Sequence, residues 1–165
     1  MKRYVIIVAG IMVVMFVAWD QWRRQPEIQV PATFARLAEA FADHDASGVM
    51  TCVDRQYDFT GKWPELFPDQ SKARGEAQRL LAMAFFQTRT DQLQVVWHLD
   101  DLQIQADRSV LALVSVRVSS DGGGLFARAV PPLQRHQFRL VKGGVISGRY
   151  RIADHAPFVL NVPSL

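Results

Sequence analysis

The sequence has little of what anchors small proteins through chemistry rather than packing. Cysteine occurs once in 165 residues, at Cys52, which excludes an intrachain disulfide and a cysteine-based metal site. The four histidines, His44, His98, His136 and His155, are scattered without ligand spacing, so no metal and no cofactor is expected. The chain has no nucleophile elbow, phosphate loop, HExxH motif or paired CxxC. Internal repeats and low-complexity tracts are absent too. Neither sign of charge dominates: 19 basic against 16 acidic residues leave a net +3. That is too weak a bias to argue nucleic acid, and no stacking aromatics interleave the basic residues. What is present is ordinary for a folded protein, with 49% hydrophobic and 21% charged residues and length for one domain.

The apolar residues are not spread evenly. Lys2 and Arg3 precede an uncharged run from Tyr4 to Trp19, and Asp20, Gln21, Trp22, Arg23 and Arg24 follow. As a helix this run spans roughly 24 Å at about 1.5 Å per residue, slightly short of a hydrocarbon core of about 30 Å. Flanking Lys2, Arg3 and Arg23 can snorkel, and Trp19 and Trp22 suit the interface. A cleaved signal peptide competes with a retained anchor. Bulky Phe16 sits where cleavage after Ala18 needs a small residue, so residues 1–24 are expected to stay as a transmembrane signal anchor that meets the membrane through residues 4–19. Lys2 and Arg3 favour the N-terminus inside and the domain outside the cytoplasmic membrane, although Arg23 and Arg24 oppose this.

Residues 25–31 read as a linker bounded by Pro26 and Pro31. Helical spacing begins near Ala32, through Phe34, Leu37, Ala38 and Phe41, and His44-Asp45 breaks it. Asp45 is placed to cap a second short helix through Val49 and Met50. Tyr57-Asp58-Phe59 reads as a short strand, residues 61–74 as a loop, and residues 75–88 as a third helix with the stripe Ala77, Leu80, Leu81, Ala84 and Phe85. The period then changes to two. Leu93, Val95, Trp97 and Leu99 alternate, but Leu102, Ile104 and Ala106 have the opposite parity, which predicts a bulge at Asp100-Asp101. Val110 to Val118 is apolar enough for a central strand. His136–Val141 and Val145–Ile152 are expected to pair across a Lys142-Gly143-Gly144 turn. Residues 155–165 are left as an apolar tail.

Three stretches carry a family resemblance: residues 40–49 running on to Tyr57-Asp58-Phe59; Arg74-Gly75-Glu76-Ala77-Gln78-Arg79-Leu80-Leu81; and the strands through Phe138-Arg139-Leu140 and Gly148-Arg149-Tyr150-Arg151-Ile152. Together they cover nearly all of 32–154, and they resemble the nuclear transport factor 2-like superfamily, which includes ketosteroid isomerase-like and polyketide cyclase-like proteins. The resemblance implies an α+β cone of about three helices on a curved antiparallel sheet, around an apolar pocket. Parity and helix face then name the walls: Phe34, Phe41, Met50, Tyr57, Phe85, Trp97, Leu99, Phe138 and Tyr150. These side chains equally suit a filled core.

The family's isomerases use a carboxylate base and an oxyanion hole of Tyr and Asp. Asp58 falls where the resemblance puts the base. Leu37, which cannot donate a hydrogen bond, falls at the Tyr position, and His136 at the Asp position. On that ground the sequence is read as a non-catalytic, membrane-anchored accessory or assembly subunit of a membrane complex. Its layout is similar to inner-membrane assembly proteins of type IV secretion systems. The alternative is a pocket enzyme of isomerase, dehydratase or cyclase kind, or a binder of a small apolar ligand, using Asp58 and His136. Leu125, Phe126, Val130 and Leu133 in a long loop, with Phe158 and Leu160 in the tail, are the expected interface to other subunits or to a second copy in a homodimer. Arg117, Arg135, Arg139, Arg149, Arg151 and Lys142 form a basic group on neighbouring strands, suited to lipid headgroups, to an acidic partner or to solvent.

Overall fold

Helical periodicity before residue 88 and alternation after it become, among the described residues, five helices followed by four strands. A computed structural model describes residues 2–88, 93–120, 134–143 and 148–157, with the side chains of 12–22, 24–88, 94–119, 134–143 and 148–157. In chain order these are α1 (Lys2–Arg23), α2 (Pro26–Ala42), α3 (Ala46–Cys52), α4 (Phe59–Lys62), α5 (Gln70–Gln87), β1 (Leu93–Ile104), β2 (Val110–Ser120), β3 (Gln134–Gly143) and β4 (Arg149–Pro157). The strands form one antiparallel sheet in the order β1-β2-β3-β4. The α+β expectation therefore holds.

The N-terminal helix forms, and its described side chains from Met12 to Val17 are exposed. Among the described residues no helix is long and apolar enough to cross a membrane. Most of the 4–19 segment has side chains outside the described residues.

The linker is corrected. Residues 26–31 belong to α2, because Pro26 takes the first helical position, where its missing N–H is no loss. Burial then holds the first turns down: Val30 and Thr33 are fully buried. The Thr33 hydroxyl lies 3.0 Å from the carbonyl oxygens of both Gln29 and Tyr150. Thr33→Val keeps the shape and removes that tie between α2 and β4. We expect it to destabilise the protein by about 1–3 kcal/mol, read by urea unfolding.

Helix α2 ends as predicted. His44 adopts a left-handed φ of 56°, and the Asp45 N–H closes the helix end on the Ala40 carbonyl at 2.8 Å. Asp45 holds the N-cap position of α3, but its side chain makes no capping bond. Arg74 then fixes α3 from α5: its guanidinium donates to the carbonyl oxygens of Met50, Val53 and Asp54 at the end of that helix.

The sheet bears out the parity argument. The β1–β2 register shifts between Leu99 and Asp101, so Leu99 and Leu102 both pack on the core. Asp100, the extra residue, accepts from the Ser115 hydroxyl at 2.6 Å. On β2, Val110, Ala112 and Val114 are fully buried, as a central strand requires.

Two expected elements move. Tyr57-Asp58-Phe59 is not a strand, because Asp58 N-caps α4 by accepting from the Gly61 N–H at 2.7 Å. β4 starts at Arg149 and runs to Pro157, so residues 155–157 are strand rather than tail. The predicted α5 stripe is also partly wrong. Ala73 and Phe85 are buried, but Leu80 faces out with Met83 and Phe86.

Candidate active site: an apolar cavity with one polar end

Side chains from α2, α3, α4, α5 and all four strands surround a cavity of about 440 Å³. Of the predicted walls, Phe34, Phe41, Met50, Tyr57, Trp97 and Phe138 line it. Phe85 does not. It sits in a second core cluster behind α2, edge-on to Phe41 and His44. Leu99 and Tyr150 lie in the main core and leave the cavity untouched. Leu125, Phe126, Val130, Leu133, Phe158 and Leu160 lie outside the described residues.

The cavity wall is apolar except at one end, where Tyr57, His155, His136 and Gln134 gather. Each is placed by identifiable local structure. Tyr57 precedes α4, and its carbonyl accepts from the Gln70 side-chain amide at 2.9 Å. The carbonyl of that amide accepts from the Thr60 N–H at 3.2 Å. Gln70, at the start of α5, therefore clips the Tyr57–Thr60 segment in place. His155 pairs with Phe138 across β3 and β4 and stacks on its ring, with centroids 6.0 Å apart. The His155 N–H donates to Asp154, whose carboxylate also holds Lys62 at 2.7 Å. His136 lies two residues before Phe138 on the same face, its ring centroid 6.0 Å from that of His155. Trp63 follows α4 and covers His155 and Tyr57, with ring centroids 5.7 and 6.5 Å away.

These contacts set the proton positions. The Tyr57 hydroxyl lies 2.5 Å from Nδ1 of His155. Burial, then the charges of Asp154 and Asp58, push the Tyr57 phenol far above its ordinary value, so it keeps its proton and donates it to Nδ1. His155 must then carry its own proton on Nε2. Burial, followed by the neighbouring His136 and Lys62, lowers the His155 pKa against the opposing pull of Asp154. Burial lowers that of His136. Both imidazoles are therefore neutral at pH 7. The Nε2 of His136 is 2.7 Å from the Gln134 side-chain oxygen, so it donates there. Its Nδ1 is left with a lone pair, buried and without a partner among the described residues.

A lowered histidine pKa has a definite consequence for stability. The unfolded chain binds protons near pH 6.5, where the folded chain resists them. The contribution of both groups is thus complete above that value and is lost as pH falls through it. Lowered carboxylates act in a separate window: Asp107, held at about 2 by hydrogen bonds from Ser109 and Arg139, matters only below its ordinary value near 3.8. Thermal melts between pH 8 and 5 should show falling stability below about 6.5. Replacing His136 and His155 together by Gln should flatten that slope.

Asp58 is misplaced by the sequence reading. It is exposed, serves as a helix cap and is not part of the cavity wall. Asn caps as well as Asp, so Asp58→Asn is expected to change unfolding free energy by less than about 0.5 kcal/mol and to leave ligand binding unchanged in titration. His155, Gln134 and Trp63 are the polar-end residues that sequence reasoning missed.

No known protein family matches this chain, and no curated protein does. Solved structures do. A protein from Catenulispora acidiphila superposes with a TM-score of 0.57 at 20% identity, over 85% of this chain and 94% of that one. Aln2 from a Streptomyces species gives 0.58 at 14%, over 81% and 90%. A domain of unknown function from Nostoc punctiforme with a cystatin-like fold gives 0.55 at 17%, over 79% and 75%. At such identities the likeness is one of fold. It still corrects the non-catalytic expectation. The cavity that this shared scaffold encloses is open rather than filled, so the missing donor at Leu37 is no ground for excluding catalysis. Nothing in the fold or its neighbours points to an accessory subunit of a membrane complex. The chain has the cystatin-like α+β fold, built around a cavity whose polar end is a tyrosine and two neutral histidines.

Proposed function

We propose that this protein is a small-molecule enzyme of the isomerase, dehydratase or cyclase kind, moving a proton next to a carbonyl on an uncharged, largely apolar substrate. The observation that carries this is the Tyr57–His155–His136 end of an otherwise apolar cavity. No Lys, Arg, Asp or Glu lines the cavity among the described residues, so a charged substrate would lose its hydration without a partner. A carbonyl oxygen, in contrast, finds a donor in the Nε2–H of His155.

The roles follow from the proton positions. As a proton leaves the carbon beside the carbonyl, negative charge develops on the oxygen. The His155 Nε2–H bond strengthens toward that charge in a site of low dielectric constant. The Tyr57 hydroxyl holds the other ring nitrogen, which fixes the tautomer and the ring's direction. His136 supplies the base. Its Nδ1 lone pair is covered in this structure, and rotation of the imidazole about Cβ–Cγ brings it to the cavity. A neutral imidazole with a lowered pKa suits proton transfer at neutral pH. Asp58 has no part in this scheme, which separates it from the carboxylate-based alternative.

The test is exchange of α-protons in D2O, followed by NMR, for a panel of apolar cyclic ketones such as 2-tetralone. Exchange above the buffer rate is expected with at least one ketone, unchanged in Asp58→Asn and lost in His155→Gln. Ketones that bind in titration yet exchange no faster than in buffer would sink the enzymatic reading and leave a binding protein.

A further inference from the structure

We propose that the end of the sheet opposite the cavity rests on an anionic lipid surface, with α1 in the bilayer, so that the cavity takes its ligand from the aqueous side. The argument starts where α1 meets the domain. The turn after α1 carries Arg24, and the neighbouring β3 and β4 ends carry Lys142, Arg149 and Arg151. They occupy both faces of that end: Lys142, paired with Tyr150, shares a face with Gly148, and Arg149 and Arg151 share the other with Gly143. A point one Cβ bond above Gly148 lies 3.6 Å from Lys142 and 3.8 Å from Arg24. The corresponding point above Gly143 lies 2.9 Å from Arg151. Arg24 is paired with Asp20 at 2.6 Å, and Glu27 lies close enough to act on Tyr150. Lys142, Arg149 and Arg151 have no carboxylate within salt-bridge distance among the described residues. Gathered cations repel one another unless an anion sits against them.

The geometry says which anion. Trp19 and Trp22, with ring centroids 5.4 Å apart, are both about half exposed, and Met12 to Val17 on the same helix are exposed apolar side chains. Apolar helix, tryptophan belt and basic cluster follow one another within a few residues. That is the order in which a bilayer presents hydrocarbon, interface and headgroup charge. The cavity lies at the other end of the sheet. His136 and Lys142 sit six residues apart on β3, about 20 Å at the rise of a strand. A domain seated on its basic end therefore holds Trp63 and the two histidines well clear of the headgroups.

The full chain is reconstituted in lipid nanodiscs of phosphatidylcholine, with and without phosphatidylglycerol. A water-soluble amine reagent then labels lysines, read by mass spectrometry. Lys142 should react about fivefold more slowly in the anionic discs, the equivalent of ~1 kcal/mol per basic residue at such a surface, and high salt should restore its rate. Lys72, at the start of α5 beside the Gln70 clip and thus near the cavity, should react equally in both. In Arg149→Glu the protection of Lys142 should weaken. Equal reactivity of Lys142 in the two lipids would overturn the proposal, as would failure of the chain to enter either disc. Proton exchange by the same protein in detergent reads the catalytic scheme separately, so either can fail alone.

Discussion

His155→Gln is expected to lower proton-exchange turnover by about 10²–10³-fold, the usual cost of removing one donor to a developing oxyanion, with little change in substrate affinity. Gln retains bulk and some hydrogen bonding but cannot present the ring N–H along the same line. Tyr57→Phe should act through His155. Without the hydroxyl, nothing holds the proton on Nε2, and a loss of about fivefold follows, in line with one hydrogen bond of net strength near 1 kcal/mol. The pH profile separates that positioning role from a packing role. In the wild type, activity should persist through about pH 6.5 and fall only at lower pH, where the imidazoles, whose pKa values burial lowers, take up protons. Tyr57→Phe should move the acid limb to higher pH, because the hydroxyl's hydrogen bond to Nδ1 favours the neutral imidazole, whereas a variant that merely loosened the fold would lower activity at every pH alike. A wild-type rate that His155→Gln leaves within a factor of two would remove His155 from the mechanism.

Why His155 escaped sequence reasoning can be put in terms of register. Lys142-Gly143-Gly144 looks like a two-residue hairpin turn, which would pair Lys142 with Val145 and put His155 beyond the sheet. The observed pairing is Lys142 with Tyr150 and Phe138 with His155. The connection is longer than glycine content suggests, and a register offset between Arg139 and Leu140 adds to the difference. Each added residue moves the whole of β4 along β3, and the last step of that shift decides which side chains share a face. The β1 bulge was legible for the opposite reason. It is recorded in the parity of Leu99 and Leu102 on one strand and needs no knowledge of a turn.

The cavity walls divide in the same way. Phe34, Phe41 and Trp97 follow from helix face or strand parity alone. Phe85 has the right face of α5 but packs behind α2, and only the tertiary arrangement of the helices tells the two sides of α2 apart. Asp58 was placed by analogy with a strand. A local feature of the sequence argued otherwise: Asp followed three residues later by Gly61 makes a helix cap, and a capping carboxylate is turned toward its own backbone rather than toward a ligand.

Phe34→Ala and Trp63→Ala should part company. Phe34 is 3% exposed, with ring centroids 5.0 Å from Phe138 and 5.7 Å from Trp97, so one side of its ring belongs to the core and the other to the cavity. Truncation removes both sets of contacts and enlarges a space that already exists. The expected loss is about 3–5 kcal/mol, read by urea unfolding of the full chain in mild detergent. Trp63 is 39% exposed and touches Phe67, Tyr57 and His155. Its removal should destabilise the fold by only about 1 kcal/mol while opening the polar end to water and weakening ligand binding. A saturating ligand distinguishes a functional cavity from a packing defect. Whatever binds the native state stabilises it by RT ln(1 + [L]/Kd), about 2.7 kcal/mol at one hundred times Kd. Trp63→Ala should lose most of that increment, because the ring over His155 is gone. A Trp63→Ala protein that keeps the full ligand-induced stabilisation would mean that the ligand sits elsewhere, and the polar end would then be only a set of satisfied buried side chains.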